Sequence, residues 1–324
     1  MPPRNPDLPP AERFGLSKAR LLNELLHIDG DAGARGRVLA METDFRTRIG
    51  QHIGRLEAKY SSFGKYNTNP FVLMFFCASK QLSRVSQLEQ DLLPAKVFSS
   101  METSAGKMIE QVVLPVYGWE LVETPMQTPY SVIDGRRTEP NVLRLTTLKS
   151  GPNCLDDGMS EQIAQAIVQN CRTWMDEAQV PNVEFIYGAL YGTKQQSNKK
   201  DWHILEKVCA NIGDVYVKTH CRNRWDCELQ IGPVRFNIAV KVGVELWNTI
   251  AGRQMAFVEV LTALVRACVV PTAATGPQQH TIPGLEAAVS LADVPANYNS
   301  ALLQRSQLEW LFLLAYHFCD ELTA

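Results

Sequence analysis

Residues 15–60 alternate apolar and polar positions at helical spacing. Leucine and isoleucine recur every three or four residues through LSKARLLNELLHI, and the spacing continues in ETDFRTRIGQHIGRLEAKY, as on one face of an α-helix. The stretch SSFGKYNTNP, rich in Ser, Gly, Asn and Pro, interrupts this pattern. Beyond it we expect a short apolar helix over residues 70–79 and a polar one over 80–93. The pattern therefore predicts a helical layer behind the Pro-rich N-terminal arm.

A further helix is predicted to begin at Ser100, because serine is a common N-terminal cap, and to end at Pro115 and Gly118. The pattern then changes to that of strands, which we expect at about 117–123 and 130–134. The sequence NVLRLTTLK, residues 141–149, is the clearest strand, since it combines apolar and β-branched residues.

The rest of the chain mixes both kinds of element. SEQIAQAIVQNCRTWMDEA predicts an amphipathic helix and VEFIYGALYG a buried strand. WHILEKVCANIG predicts another helix, VYVKT a strand, and ELQIGPVRFNIAVKV a hairpin that turns at Gly232-Pro233. Two strongly apolar helices are expected at 253–269 and 301–322.

This order of elements predicts an α/β fold with a mixed central sheet flanked by helices and a helical N-terminal layer. We expect residues 1–95 to form the arm and helical layer, and residues 96–324 to form the core with the C-terminal helices.

Composition narrows the class of protein. Of the 324 residues, 45% are hydrophobic and 20% charged, as in a globular protein with a sizeable core. There is no apolar run long enough to span a membrane and no secretory signal at the N-terminus. The eight cysteines are scattered without a CxxC pair, which predicts buried free thiols in a reducing cytoplasm. The net charge of −2 argues mildly against a nucleic-acid binder, but a neutral protein can still have a locally basic cleft.

Candidate chemistry concentrates between residues 106 and 161. Lys107 and Glu110 lie on a predicted helix. Asp134 and Lys149 end successive predicted strands, so we expect their side chains at the same rim, and Glu161 follows one turn into the next helix. Carboxylates bind Mg²⁺, which stabilises charge on a transferring phosphoryl group and lowers the pKa of an attacking water. A neighbouring lysine can orient that water and offset the phosphate charge.

The segments GKMIE, VIDG and LRLTTLKSGPN, in this order, resemble the core of PD-(D/E)XK type II restriction endonucleases. VGVELWNTIAG and KYNTNPF are also similar to tracts of such enzymes, so that the resemblance covers roughly residues 65–260. It implies a restriction-endonuclease-like core and Mg²⁺-dependent hydrolysis of both DNA strands. Asp134 would be the metal-binding aspartate and Lys149 the catalytic lysine.

One position departs from the family pattern. Thr147 stands two residues before the lysine, where the family has Asp or Glu. In the branch that cuts CCGG and CCNGG sites, this acid is relocated to the helix that follows the lysine. Glu161 occupies the corresponding place, so the resemblance implies Asp134 and Glu161 as metal ligands. Glu110 is similar to an additional acid near the metal in that branch, and we include it among the catalytic residues.

Other acids could replace the missing one. Asp156, Asp157 and Glu139 compete with Glu161, although the first two can equally serve as the cap and first-turn acid of a helix. Taken singly, Asp134 could be a turn residue and Lys149 a solvated strand end. The interpretation of these residues as a nuclease site depends on their combination, in this order, along the chain.

Basic residues mark candidate DNA contacts, since arginine pairs with guanine and asparagine with adenine. The alternative is that they lie in solvated loops. The candidates are Arg136, Arg137, Lys199, Lys200, Arg222, Asn223 and Arg224.

The sequence thus predicts a cytoplasmic, homodimeric type II restriction endonuclease that cuts double-stranded DNA at a short palindromic site and leaves 5′-phosphates. Two-fold symmetry meets a palindrome most simply, and the two C-terminal apolar helices could form the dimer layer or simply be core. A DNA-binding module on a degenerate nuclease core is the alternative, and a nucleotide- or sugar-modifying enzyme a third class.

Overall fold

Three parallel strands form the centre of a mixed sheet. They are β4 (Val142–Lys149), β5 (Asn182–Ala189) and β8 (Val234–Val242). The computed structural model describes residues 11–59, 70–81, 84–122, 131–211, 217–222, 225–271 and 281–324. Within these residues the sheet has seven strands, in the order β2-β3-β4-β5-β8-β7-β6.

Antiparallel strands extend this centre on both sides. They are β2 (Glu120–Leu121), β3 (Gly135–Glu139), β6 (Val217–Arg222) and β7 (Asp226–Ile231). The hairpin between β7 and β8 turns at Gly232 and Pro233, as the sequence predicts, with Gly232 at a φ of +58°. In the parallel part, Lys149 pairs with Ala189 and Gly188 with Lys241. The carboxyl ends of the three central strands therefore meet at one edge of the sheet.

Helices cover both faces of the sheet. One face packs on α5 (Asp157–Ala178) and α6 (Lys200–Asn211). The opposite face carries the larger apolar core, to which these helices contribute: α1 (Lys18–Gly30), α2 (Ala32–Lys59), α4 (Val85–Val116), α7 (Val244–Ala251), α8 (Phe257–Cys268) and α10 (Arg305–Tyr316). The remaining elements are α3 (Pro70–Ser79), α9 (Leu285–Val289), and the parallel pair β1 (Gly15–Ser17) and β9 (Glu321–Thr323).

This architecture confirms the predicted α/β class, with a mixed central sheet flanked by helices and a helical N-terminal layer. The N-terminal helices α1 and α2 pack on α8. The two ends of the chain therefore share one core. The division at residues 95 and 96 stays a prediction, and α4 crosses that position without a break. The apolar faces of α8 and α10 are buried within this single chain, so core packing already accounts for their hydrophobicity. No helix among the described residues is long and apolar enough to cross a membrane.

Three local predictions are wrong. The helices expected at 80–93 and from Ser100 are one helix, α4, which contains Pro94 and is capped at Arg84 rather than at Ser100. The strand expected at 130–134 is absent from residues 131–134, because β3 begins only at Gly135. Among the cysteines expected to be buried, Cys154 and Cys268 are exposed.

A buried carboxylate ties the N-terminal layer to the core. Glu259, at the start of α8, is completely buried. It accepts hydrogen bonds from Nε and Nη2 of Arg37 at 2.9 and 2.7 Å, from the Tyr117 hydroxyl at 2.5 Å, and from Arg253. The three donors come from α2, the end of α4 and the segment before α8, so one side chain joins three parts of the fold.

Glu259→Gln should destabilise the protein by about 3 kcal/mol, because two partly buried arginines lose the counter-charge that the buried carboxylate provides. Urea unfolding followed by circular dichroism measures the change. The control is Glu120→Gln, which breaks an exposed ion pair with Arg136 and should change the free energy of unfolding by less than about 1 kcal/mol. Equal effects of the two substitutions would contradict a stabilising role for the buried network.

Candidate active site

Asp134 lies at the carboxyl edge of the sheet, immediately before β3. Its backbone N–H donates to the Thr146 carbonyl at 2.8 Å, and its Oδ2 accepts from the Leu148 N–H at 2.8 Å and the Thr147 hydroxyl at 3.4 Å. The prediction that Asp134 ends a strand is wrong, but these bonds hold its side chain beside the last residues of β4. Asp134 and Lys149 therefore share one rim, as the sequence predicts.

Helix α4 brings two further charges to this rim. Nζ of Lys107 lies 3.3 Å from Oε2 of Glu110 and 3.9 Å from Oδ1 of Asp134. Asp134, Glu110 and Lys107 form a cluster that we call the acid pair with its lysine. Lys107 is about half exposed, whereas the side chain of Glu110 is 7% exposed.

The surroundings of Glu110 shift its pKa strongly. Burial, and next the charge of Asp134, raise its pKa to about 7, against the opposing charges of Lys107 and Lys149. Its Oε2 is buried and is not assigned a hydrogen bond, although Nζ of Lys107 forms an ion pair with it at 3.3 Å. A buried carboxylate with a raised pKa beside a second carboxylate is a common property of functional sites.

Thr147 explains the departure from the family pattern in structural terms. Its side chain is buried at 3% exposure and donates its hydroxyl to Asp134. The position that carries an acid in the family pattern therefore supports Asp134 here and adds no negative charge.

A close helix-strand contact fixes these groups relative to each other. A Cβ atom on Gly106 would lie 3.3 Å from Cβ of Ser150, the residue after Lys149. A larger residue at position 106 would be tight, so that Ser150 or α4 would have to shift by a few tenths of an ångström. Glycine at this position sets the distance between Glu110 and the strand that carries Lys149.

Glu161 lies in the first turns of α5, where it has a different partner. Its Oε2 is 3.1 Å from Nζ of Lys207 on α6, and its Oε1 accepts from the Gln165 amide at 3.1 Å. Its side chain is 39% exposed. Among the described contacts, none joins Glu161 to Asp134 or Glu110.

The competing acids are all engaged elsewhere. Asp156 caps α5 by accepting from the Met159 N–H at 2.7 Å, and Asp157 pairs with Lys200 at 2.7 Å. Glu139 pairs with Arg137 and Arg144. Glu139 also lies opposite Val142, five residues of extended chain from Asp134, which is about 17 Å.

The basic candidates are held by contacts within the chain. Arg136 pairs with Glu120 at 2.7 Å, Arg137 with Glu139 at 3.1 Å, and Lys200 with Asp157. Two of the three, Arg136 and Arg137, are on β3, beside the strand that leads to Lys149.

Lys199 is the most constrained of these cations. It has a φ of +67°, its ammonium donates to the carbonyl of Lys194, and it lies 5.5 Å from the centre of the Trp225 ring. Burial lowers its pKa. The side chain of Arg222, and all of Asn223 and Arg224, lie outside the described residues.

The donor set fits a magnesium ion. Mg²⁺ binds proteins through one or two carboxylates and completes its shell with waters and substrate phosphates. Asp134 and Glu110 supply two such carboxylates, and the buried Oε2 of Glu110 lacks a hydrogen-bond donor. Within the described parts of the chain, no group of three or more His, Cys, Asp or Glu residues could hold a metal, so the remaining ligands would come from water and DNA.

Comparison with known families agrees with this geometry. A family model described as type II restriction endonuclease EcoO109I matches residues 65–267, which is more than half of the chain. The protein belongs to this family. No curated protein sequence matches the chain. The matched residues of the endonuclease run from the segment before α3 through α8 and include the whole candidate site.

Membership implies a site-specific deoxyribonuclease, and it confirms the predicted type II restriction endonuclease at the level of the family. The branch that cuts CCGG and CCNGG sites stays a prediction.

Sequence reasoning assigned no role to Lys107, although the structure places it between the two acids. Its spacing of three from Glu110 on one helix indicated that the two could meet. The contact with Asp134 had no such local signal.

The pH dependence of stability should report the environment of Glu110. Its pKa is raised from 4.5 to about 7, so its protonation stabilises the folded state below pH 4.5, and this stabilisation is lost as the pH rises through about 7. Without metal, Glu110→Gln should therefore be more stable than the wild type at pH 8, by up to about 3 kcal/mol. The advantage over the wild type should be much smaller at pH 5, where Glu110 is largely protonated.

Urea unfolding in EDTA at pH 5 and pH 8 provides the measurement. The matched control is Glu102→Gln, which removes an exposed carboxylate from the same helix and should show no such pH dependence. A difference between Glu110→Gln and the wild type that does not grow between pH 5 and pH 8 would argue against the raised pKa.

Proposed function

We propose that this endonuclease hydrolyses both strands of double-stranded DNA at a short palindromic site, in a Mg²⁺-dependent reaction that leaves 5′-phosphates. The acid pair with its lysine supports the proposal most strongly. Two carboxylates converge on the strand end that carries Lys149, and one of them has a buried oxygen without a hydrogen bond.

We assign Asp134 and Glu110 as the protein ligands of the metal. When bound there, Mg²⁺ would offset charge on the scissile phosphate and lower the pKa of a water molecule. Asp134 is fixed by the Leu148 N–H and the Thr147 hydroxyl, which leaves its Oδ1 for the metal. Glu110 is fixed by the packing of Gly106 on Ser150.

Lysine side chains supply the positive charge that a phosphate requires. Lys149 would position the attacking water and the scissile phosphate from the strand end. Lys107 neutralises part of the acid pair when no metal is present. Because it is about half exposed, it can turn towards the DNA backbone without unfolding α4.

We propose that DNA lies along this rim, next to β3, where Arg136 and Arg137 would exchange their carboxylate partners for phosphates. The same role is proposed for Lys199, Lys200 and Arg222, and base contacts for Asn223 and Arg224. A homodimer in a reducing cytoplasm would provide one such rim for each strand.

Glu161 is the second candidate for the acid that Thr147 does not supply. It would reach the metal only if Lys207 released it, since that ion pair is 3.1 Å long. We therefore rank Glu110 above Glu161. The proposal of a G·C-rich target of the CCGG or CCNGG kind depends on the relocated acid, and so on Glu161.

Substitutions at the rim should separate catalysis from DNA binding. Asp134→Asn and Lys149→Met should each lower the rate of cleavage by about 10²-fold or more, because each removes a group that acts in the transition state. Cleavage of phage DNA with Mg²⁺ is followed on gels, and sequencing of fragment ends gives the site and the 5′-phosphate. Gel mobility shifts with Ca²⁺ in place of Mg²⁺ should show DNA binding by both variants.

The control variant is Asp176→Asn, which removes an exposed carboxylate near the C-terminal end of α5 and should cut at the wild-type rate. Discrete fragments from the wild-type protein support the enzyme. Intact DNA with a mobility shift would instead identify a DNA-binding module on a degenerate core, and DNA that is neither cut nor bound would indicate a different substrate class.

A comparison of Glu110→Gln with Glu161→Gln decides which acid serves the metal. We expect Glu110→Gln to lower cleavage by about 10²-fold or more and Glu161→Gln to lower it by less than about tenfold. Lys207→Met, which frees Glu161 from its partner, should leave cleavage within about twofold of the wild type. A larger loss of cleavage in Glu161→Gln than in Glu110→Gln would instead identify Glu161 as the metal ligand.

A further inference from the structure

Two thiol groups meet on the face of the sheet that α5 and α6 cover, on elements that do not contribute to the acid pair with its lysine. Cys209 lies near the end of α6, and Cys227 is the second residue of β7. Their Sγ atoms are 2.9 Å apart, and neither residue is in a disulfide. A disulfide would need the two sulfurs about 0.9 Å closer, since its bond length is about 2.0 Å. The two sulfurs are therefore already close to bonding distance.

The surrounding packing holds the two thiols near each other. Cys227 belongs to the core between the sheet and its covering helices, and Cys209 packs against that core. Nearer the start of α6, the rings of Trp202 and Trp225 meet edge to face with 5.8 Å between their centres, and Trp225 directly precedes β7. Helix α6 thus contacts this part of the sheet at two places. Groups that a fold holds together in this way react with each other far more readily than the same groups free in solution.

The two sulfurs differ in their access to solvent. Cys209 is partly exposed, whereas Cys227 is completely buried. A small oxidant from solvent therefore reaches Cys209 first. A sulfenic acid on one cysteine condenses with a neighbouring thiol to form a disulfide, and cysteines that sense oxidants often have such a resolving cysteine beside them. Cys227 is in the position of the resolving thiol.

We propose that Cys209 and Cys227 form an oxidisable pair, which hydrogen peroxide converts to a disulfide that locks α6 to β7. The sulfur of Cys209 attacks one peroxide oxygen, the O–O bond breaks, and a sulfenic acid and one water result. The sulfur of Cys227 then attacks Sγ of Cys209, the S–S bond forms and the S–O bond breaks. The hydroxyl leaves as a second water with the thiol proton of Cys227. Two thiols together lose two electrons, and one peroxide is reduced to two waters.

The disulfide would join two segments that adjoin proposed DNA contacts. Helix α6 begins at Lys200, next to Lys199, and β7 follows Asn223 and Arg224 in the chain. The reducing cytoplasm that the scattered cysteines predict keeps the pair as thiols, so the lock would form only when peroxide accumulates. The disulfide forms whether or not the protein cuts DNA, and its test is therefore independent of the proposed function.

Peptide mapping of the oxidised protein tests the pair. The full chain is treated with hydrogen peroxide, the remaining thiols are blocked with N-ethylmaleimide, and the single-chain band of a non-reducing gel is digested and analysed by mass spectrometry. We expect a peptide pair that joins Cys209 to Cys227 and that dithiothreitol separates. Cys209→Ser should abolish it. The matched control is Cys268→Ser, which removes an exposed thiol at the end of α8 and should leave the yield unchanged.

Cys221 is the competing partner for Cys227, because the register of β6 and β7 places these two positions opposite each other. Cys221→Ser should therefore retain the peptide pair that joins Cys209 to Cys227. The same mapping of the wild type shows directly which of the two cysteines is linked to Cys227, without any variant.

Thermal unfolding of the wild type measures the lock. Oxidation should raise the melting temperature by about 5 °C, because the disulfide closes a loop of 18 residues in the unfolded chain, and dithiothreitol should reverse the rise. The same treatment of Cys209→Ser should produce no rise. Three results would each overturn the proposal: no peptide pair between Cys209 and Cys227, a disulfide between Cys221 and Cys227, or an oxidised wild type that melts at the temperature of the reduced protein.

Discussion

The close approach of α4 to the end of β4 is the contact on which the candidate site depends. Glu110 and Asp134 are on different elements, and the packing of α4 on the sheet brings their carboxylates to one rim. Gly106 permits it, because a Cβ at that position would meet Ser150 at 3.3 Å. One turn further along α4, Glu110 is then buried beside Asp134, and Lys107 lies between the two acids.

Burying one carboxylate beside another is unfavourable, and the fold must offset it elsewhere. The raised pKa of Glu110 results from this unfavourable burial. Glu259 is buried as well, but two arginines and a tyrosine donate hydrogen bonds to it, which suits a structural role. The two buried glutamates therefore differ in their hydrogen bonds. Both oxygens of Glu259 accept from donors, whereas no hydrogen bond is assigned to Oε2 of Glu110.

Local patterns predicted the elements that depend on local interactions. The strand β4 and the hairpin at Gly232 follow from β-branching and turn chemistry, and the cap of α5 at Asp156 is an alternative that the sequence left open. Continuation of α4 through Pro94 was not predictable, because a proline usually interrupts a helix and no sequence pattern reveals the contrary. Likewise the sequence put Asp134 and Lys149 at one rim, but the charge partner of Glu161 follows from the packing of α5 on α6, which has no local signal.

Charge compensation favours Glu110 over Glu161 as the proposed replacement for the acid that is missing at Thr147. A divalent cation gains most where negative charge is least neutralised and least hydrated. Glu161 is partly exposed and already paired with Lys207. Glu110 is buried, faces a second carboxylate, and has one half-exposed lysine that can leave. The hydroxyl of Thr147 supports Asp134 without adding a third charge, so a strand-borne acid is unnecessary once the helix supplies one. The departure from the family pattern is thus consistent with a working metal site whose second acid comes from α4.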